Sequence, residues 1–288
     1  MTQQYGAQAA NLPVIDISPM AGGSEQSKAA MADTLREACE HSGFFYVSGH
    51  GIDSALIAQV FNASKQFFDL PMADKLLVDK AQSKANRGYE PLRGQTLEAG
   101  APPDLKEGFY IGEEVAADDE RALTRFNTGP NQWPHSVADF RPAMEQYYAA
   151  MEALSARIMA ALALSLSLPE DFFADFCKQP LCTLRLLHYP PQPGNPQPGE
   201  KGCGAHTDFG GITVLLLDDK PGLQVWDAAG ERWIDANPIP GTFVVNLGDM
   251  IARWTNDRYR STLHRVVNTS GAERYSVPFF YSGNPDHE

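Results

Sequence analysis

The sequence predicts an α+β fold: a helix-rich first half packed on a jelly roll of short antiparallel strands. Helical periodicity is confined to the chain before Pro169, whereas β-branched and alternating runs separated by turn residues fill it after Pro180. No internal repeat and no linker divides the two, so helices come first and strands later within one structural unit. At 288 residues the chain is long enough for a well-buried core, and 43% hydrophobic, 10% aromatic and 20% charged content is that of an ordered protein. The expected organisation is a helix-rich region over 1–180 and a jelly-roll core over 181–288.

Residues 12–18 alternate and read as a strand started by Pro13. A helix is predicted from about Ser27 to His41, with Met31, Leu35 and Ala38 on one stripe and Gly43 ending it. Residues 44–47 form an aromatic strand closed by the Gly49-His50-Gly51 turn. Asp53 or Ser54 caps a second helix, whose Leu56, Ile57, Val60, Phe61, Phe67 and Phe68 share one face and which Pro71 terminates. From Ala81 to Gly112 no period holds, and a segment that long is either a disordered linker or a functional cover; its aromatics favour a lid. Residues 118–134 read as a polar connection. Pro142 opens the longest helix, which runs toward Pro169 with Met144, Tyr147, Met151, Leu154, Ile158 and Leu162 on its core stripe. Strands are then expected over 181–189, 212–217, 223–226, 243–247, 261–267 and 274–281. The loop over 190–204 is stiffened by prolines and glycines.

A net charge of −13 and a pI near 4.9 disfavour nucleic acid or anionic membrane as partners. No stretch approaches a membrane span, and residues 1–11 lack the features of a signal peptide. Cys39, Cys177, Cys182 and Cys203 show no CxxC pair and read as thiols of a cytoplasmic protein. Oligomeric state is not legible.

The chemistry centres on residues 204–226. His206 and Asp208 stand two apart, so in extended backbone an imidazole and a carboxylate share a face. A third ligand, His264, lies 56 residues beyond Asp208 in a second β-rich run. Two histidines and one carboxylate on one side of a metal leave the other side open, as non-haem Fe(II) oxygenases require. Arg274 and Ser276, again two apart, can present a guanidinium and a hydroxyl to a carboxylate, the arginine bidentately. A zinc hydrolase could use the same ligand types but leaves Arg274 and Ser276 unexplained. His41, His50, His135 and His287 read as structural or surface residues, His188 as facing away from the site, and Asp249 as shaping a turn.

The matching stretches are extensive: LPVIDIS at 12–18, GFFYVSGHGI at 43–52, HYPPQP at 188–193, HTDFGGITVLLLDD at 206–219, PIPGTFVVNLGDM at 238–250, YRSTLHRVV at 259–267 and RYSVPFFY at 274–281. On these the chain resembles the isopenicillin-N-synthase-like Fe(II)/2-oxoglutarate-dependent dioxygenases. The resemblance implies a distorted double-stranded β-helix with the metal in its mouth. It implies that His206, Asp208 and His264 ligate Fe(II) and that Arg274 and Ser276, with the Tyr189 phenol, hold the distal carboxylate of 2-oxoglutarate. O2 would be the co-oxidant and ascorbate the reductant used in vitro. Succinate and CO2 would be released as a small organic substrate is hydroxylated, desaturated or cyclised. Leu187 stands where the family's motif has an asparagine, and the sequence runs only to Glu288, where many relatives continue into a C-terminal segment.

Two further readings stay open at this point. One is a 2-oxoglutarate-independent iron oxidase of the isopenicillin N synthase type, motivated by Leu187. The other is a non-catalytic carboxylate-binding module, disfavoured by the intact ligand set. Substrate walls are expected from 81–112, from 190–205 and from Phe209, Trp254 and Phe280.

Overall fold

The computed structural model describes residues 12–193, 195, 197–268 and 270–287. The expectation for residues 1–11 and the chain end at Glu288 lie outside them. In chain order the elements are β1 (Val14–Asp16), α1 (Glu25–His41), β2 (Phe44–Ser48), α2 (Ser54–Phe68), α3 (Met72–Lys75), β3 (Gly88–Glu90), β4 (Glu107–Ile111) and α4 (Glu120–Thr124). Then follow α5 (Phe140–Ser165), β5 (Cys182–Tyr189), β6 (Cys203–His206), β7 (Ile212–Leu217), β8 (Leu223–Asp227), β9 (Arg232–Asp235), β10 (Phe243–Leu247), α6 (Asp249–Trp254), β11 (His264–Val266) and β12 (Arg274–Tyr281).

Local chemistry explains where the helices sit. The Ser24 hydroxyl accepts from the Ser27 amide, so α1 begins at Glu25 rather than Ser27. Asp53, not Ser54, caps α2 by accepting from the Ala55 amide at 2.8 Å. The α5 helix starts at Phe140, with Pro142 tolerated in its first turn. It stops at Ser165, short of Pro169, as Ser167 turns to φ 60°.

The strands form two sheets. The larger has the order β1-β2-β10-β7-β12-β5-β4-β3, the smaller β6-β11-β8-β9. Among the described strand pairs only β1–β2 is parallel. Alternation along the larger sheet separates two cores. Val214, Leu184, Leu186, Phe279 and Val245 face α1, α2 and α5. Phe44, Tyr46, Leu187, Tyr189 and Val244 face inward, onto Val225 and Val266 of the smaller sheet. Each such fully buried side chain contributes about 1.5–3 kcal/mol of hydrophobic free energy. This is the expected jelly roll, and four strands from before residue 180 complete its larger sheet.

The 81–112 segment departs from the sequence expectation. Its ends are the edge strand β3 and its neighbour β4, both buried, with Tyr89 opposite Phe109. Residues 91–106 are fastened down: Glu98 Oε2 accepts from the Ala205 amide and Lys201 Nζ, Asp104 Oδ1 accepts from the Gly204 amide, and the Leu105 amide donates to Lys201. The segment is thus a sheet edge plus a cover tied to β6, not a free lid. Its short strands carry glycine and charge, which hides their period. Strands β6 and β9 and helix α4 also have no clear sequence signal, and the 261–267 run is strand only at 264–266. Among the described residues no helix is long and apolar enough to cross a membrane.

Candidate metal and oxoacid site

His206 ends β6, His264 begins β11, and these strands pair antiparallel with the two histidines directly opposite. Asp208 lies just past β6, where its carbonyl accepts from the Asp249 amide as α6 begins. A side chain at Gly248 would collide with the Gly210 carbonyl at 2.1 Å and the Asp208 carbonyl at 2.9 Å, so glycine there permits the approach that places Asp208. One ligand atom from each of His206, Asp208 and His264 lies within 4.8 Å of the other two. Asp208 Oδ1 is 3.7 Å from His206 Nε2 and 3.8 Å from His264 Nε2.

Backbone carbonyls set both imidazoles. His206 Nδ1–H donates to Gly204 O at 2.8 Å and His264 Nδ1–H to Thr262 O at 3.2 Å, which leaves both Nε2 atoms facing Asp208. The other carboxylate oxygen, Asp208 Oδ2, accepts from Thr213 Oγ1 at 2.6 Å and Asn246 Nδ2 at 2.7 Å, so Oδ1 is the oxygen left for a metal. This donor set fits a divalent iron with an open side.

Electrostatics agree with that division. Burial would raise the Asp208 pKa, but His264, Asn246, Thr213 and His206 outweigh it and keep the carboxylate ionised. Burial pulls His264 below the usual imidazole range. Burial acts the same way on His206, yet Cys203, Asp208 and the Gly204 carbonyl lift it to about 9.

The residues expected to grip a carboxylate lie together on the facing sheet. Arg274 pairs with Tyr189 and Ser276 with Leu187 across β12 and β5. All four are buried. Arg274 is 1% exposed, yet its Nε and Nη1 have no hydrogen-bond partner, an arrangement that costs about 1–3 kcal/mol unless an acceptor arrives. Tyr189 shares a buried cluster with Cys203 and Val266, on the strands that carry His206 and His264. Leu187 packs in the same cluster, so the position of the family's asparagine is apolar here.

His188 faces the other way, as expected: Nδ1 bonds Glu107 Oε1 at 2.8 Å and its ring stacks on Tyr275. His50 is structural, bonded to the Gly241 carbonyl and the Ile52 amide. Asp249 opens α6 and accepts from Thr207 Oγ1. Phe209 is 81% exposed beside Asp208, and Phe280 faces the inter-sheet space, but Trp254 stacks on Phe173 and meets Phe176 edge-on. Sequence reasoning missed Thr213 and Asn246. The signal available was a lone polar residue inside each of two apolar strands. A groove of about 1540 Å³ between α1 and β8–β9 contains none of the six predicted residues and adjoins the metal site through Asp249, Thr262 and Leu263.

Comparison with known proteins agrees with this geometry. The family model for the non-haem dioxygenase in morphine synthesis N-terminal region matches residues 12–136, and that for the 2OG-Fe(II) oxygenase superfamily matches residues 180–283. The 2-oxoglutarate-Fe(II) type oxidoreductase hxnY of Emericella nidulans is 49% identical over 280 residues, covering 96% of this chain and 80% of the relative. The 2-oxoglutarate-dependent dioxygenase citB of Monascus ruber is 42% identical over 285 residues, covering 96% and 86%. Among solved structures, a full-length Neurospora crassa protein in complex with alpha-KG and thymine superposes with a TM-score of 0.83 at 34% identity, covering 96% of this chain and 87% of that one.

The chain therefore belongs to the 2OG-Fe(II) oxygenase superfamily. It is a non-haem dioxygenase, an oxidoreductase that depends on Fe(II), 2-oxoglutarate and O2.

Proposed function

We propose that His206, Asp208 and His264 ligate Fe(II), and that Arg274 and Ser276, with the Tyr189 phenol, hold the distal carboxylate of 2-oxoglutarate. The enzyme would then hydroxylate, desaturate or cyclise a small organic substrate with release of succinate and CO2. This chemistry belongs to the jelly-roll part, 181–288, with the helix-rich part packed on it. The observation that carries the reading is that both Nδ1 atoms are committed to backbone carbonyls, so both Nε2 atoms converge on Asp208 Oδ1.

When bound, iron with 2-oxoglutarate and O2 supplies the oxidant for an otherwise inert C–H bond. The protein's own groups do the rest. Arg274 offers unpaired donors to a carboxylate. Thr213 and Asn246 hold Asp208 in its ligating orientation. Leu187, Tyr189, Val225 and Val266 wall the inter-sheet space with apolar surface and exclude water.

The substrate is read as a small organic molecule with apolar surface. Solved relatives are described in complex with thymine, for the Neurospora crassa protein, and with JA, for JOX2; the exposed Phe209 and inward Phe280 offer aromatic surface near the site. The net charge of −13 disfavours nucleic acid or an anionic membrane as partner, and four free thiols fit a cytoplasmic enzyme.

Anaerobic titration of the Fe(II)-loaded protein with 2-oxoglutarate tests the reading. The expected result is a visible charge-transfer band that Asp208→Ala and Arg274→Ala each remove. A band that survives in both variants would show that iron and oxoacid bind elsewhere.

A further inference from the structure

Strand β6 carries His206, and its pairing with β11 is irregular just before that residue. His206 lies opposite His264 and Cys203 opposite Val266, so Gly204 and Ala205 on one strand face Arg265 alone on the other. Two residues against one is a β-bulge, which bends its strand and re-aims the side chain beside it. The amides of both bulge residues donate to carboxylates of the 91–106 cover, Gly204 to Asp104 Oδ1 at 2.9 Å and Ala205 to Glu98 Oε2 at 2.9 Å.

The cover comes this close because residue 204 has no side chain. A Cβ there would stand 2.6 Å from the Glu98 Cβ and 2.8 Å from the Glu98 amide nitrogen. Each carboxylate is itself tethered, Asp104 Oδ2 by Lys106 Nζ and Glu98 Oε2 by Lys201 Nζ at 3.0 Å.

The two bonds are not equivalent. The Ala205 N–H belongs to the same peptide group as the Gly204 carbonyl, and that carbonyl accepts from His206 Nδ1–H at 2.8 Å. Glu98, this peptide and the His206 ring therefore form one chain of hydrogen bonds, which ends at the Nε2 atom 3.7 Å from Asp208 Oδ1. A negative charge at the N–H end polarises the peptide and makes its oxygen a stronger acceptor. A stronger acceptor at Nδ1 makes Nε2 a better donor to a metal. The Asp104 bond goes to the preceding peptide, Cys203–Gly204, and enters no such chain. His264 has a longer bond to its own carbonyl, 3.2 Å to Thr262 O. The Ala205 amide, and then Lys201, hold the Glu98 carboxyl below its ordinary range, so the charge is present at neutral pH.

We propose that Glu98 is a positioning residue for the metal centre: through the Gly204–Ala205 peptide it fixes the His206 ring and strengthens its Nε2 as a ligand. This rests on the reading that His206 and His264 ligate through Nε2, and it gives the 91–106 cover a part in metal binding.

The test uses the full chain loaded with Co(II), whose unpaired electrons displace the proton resonances of ligating imidazoles. The Nδ1–H protons of His206 and His264 should give two displaced resonances that vanish in heavy water. Glu98→Gln keeps an acceptor oxygen for the Ala205 amide and removes the charge. It should move one of the two resonances, leave the other in place, and weaken Co(II) binding in equilibrium dialysis about 10-fold, the low end for partners of ligating histidines. Lys201→Met removes the cation that shares Glu98 Oε2 and should move the same resonance in the opposite direction, a readout that stands even where the glutamine variant does not fold. Movement of both resonances or of neither, movement in the same direction in the two variants, or undiminished affinity in Glu98→Gln would each overturn the assignment. Absence of two exchangeable resonances in the unaltered protein instead removes the Nε2 reading on which it rests.

Discussion

Arg274 and Tyr189 face each other directly across the β12–β5 pair, the guanidinium carbon 5.0 Å from the centre of the phenol ring. The ring holds the guanidinium plane while two of its nitrogens remain buried and unpaired. Lysine cannot reproduce that planar fork. Arg274→Leu is expected to raise the KM for 2-oxoglutarate by about 100-fold or more and Arg274→Lys to rescue it only in part, as measured by succinate formation across oxoacid concentrations.

Asp208 Oδ2 is occupied by Thr213 and Asn246, which leaves Oδ1 to the metal. Asn246→Leu deletes one of these donors from a position that touches neither iron nor oxoacid. Iron affinity, followed by equilibrium dialysis, should fall about 10- to 100-fold, as second-layer changes at metal sites do. Unchanged affinity would show that Asp208 needs no such support.

Metal binding should depend on pH with a defined sign. His206, lifted to about 9 in the metal-free protein, must lose its proton to ligate, whereas His264 is already neutral and Asp208 already ionised. One proton is released, so apparent affinity is expected to rise about tenfold per pH unit up to pH 9 and then level off. A dialysis series in Co(II) between pH 6.5 and about 9 measures the slope.

Behind the oxoacid strands, Glu107 accepts from Lys75 Nζ at 2.8 Å, Tyr89 Oη at 2.5 Å and His188 Nδ1 at 2.8 Å, all buried. Burial would raise its pKa, but these three donors outweigh burial and hold it below the ordinary value. Its stabilisation is therefore present above the ordinary carboxylate pKa and is lost as pH falls through the folded value. Glu107→Leu strands Lys75 and should cost about 3 kcal/mol at neutral pH in urea unfolding, with the deficit shrinking in acid.

The sequence made the site more legible than its support. His206, Asp208, His264, Arg274 and Ser276 announce themselves because ligand chemistry demands particular side chains at period-two spacing. The helices α1, α2 and α5 are legible for a similar reason, since burial forces an apolar stripe. The short strands β3, at the sheet edge, and β4 beside it carry glycine, glutamate and tyrosine, so pairing rather than period decides them. Thr213, Asn246 and Gly248 act through hydrogen bonds and close approach to one loop, and neither leaves a periodic trace. The anchoring of residues 91–106 by Glu98 and Asp104 involves partners about 100 residues away, at Gly204 and Ala205.

The central claim is that this His-Asp-His centre consumes 2-oxoglutarate on iron in the site defined by Arg274. It is tested most directly by measuring succinate together with O2 uptake in iron-reconstituted protein supplied with 2-oxoglutarate and ascorbate. Succinate and O2 in equal amounts, abolished by Asp208→Ala and strongly reduced at the same oxoacid concentration by Arg274→Leu, is the result expected. O2 uptake without succinate, or succinate formation that persists in Asp208→Ala, would contradict it.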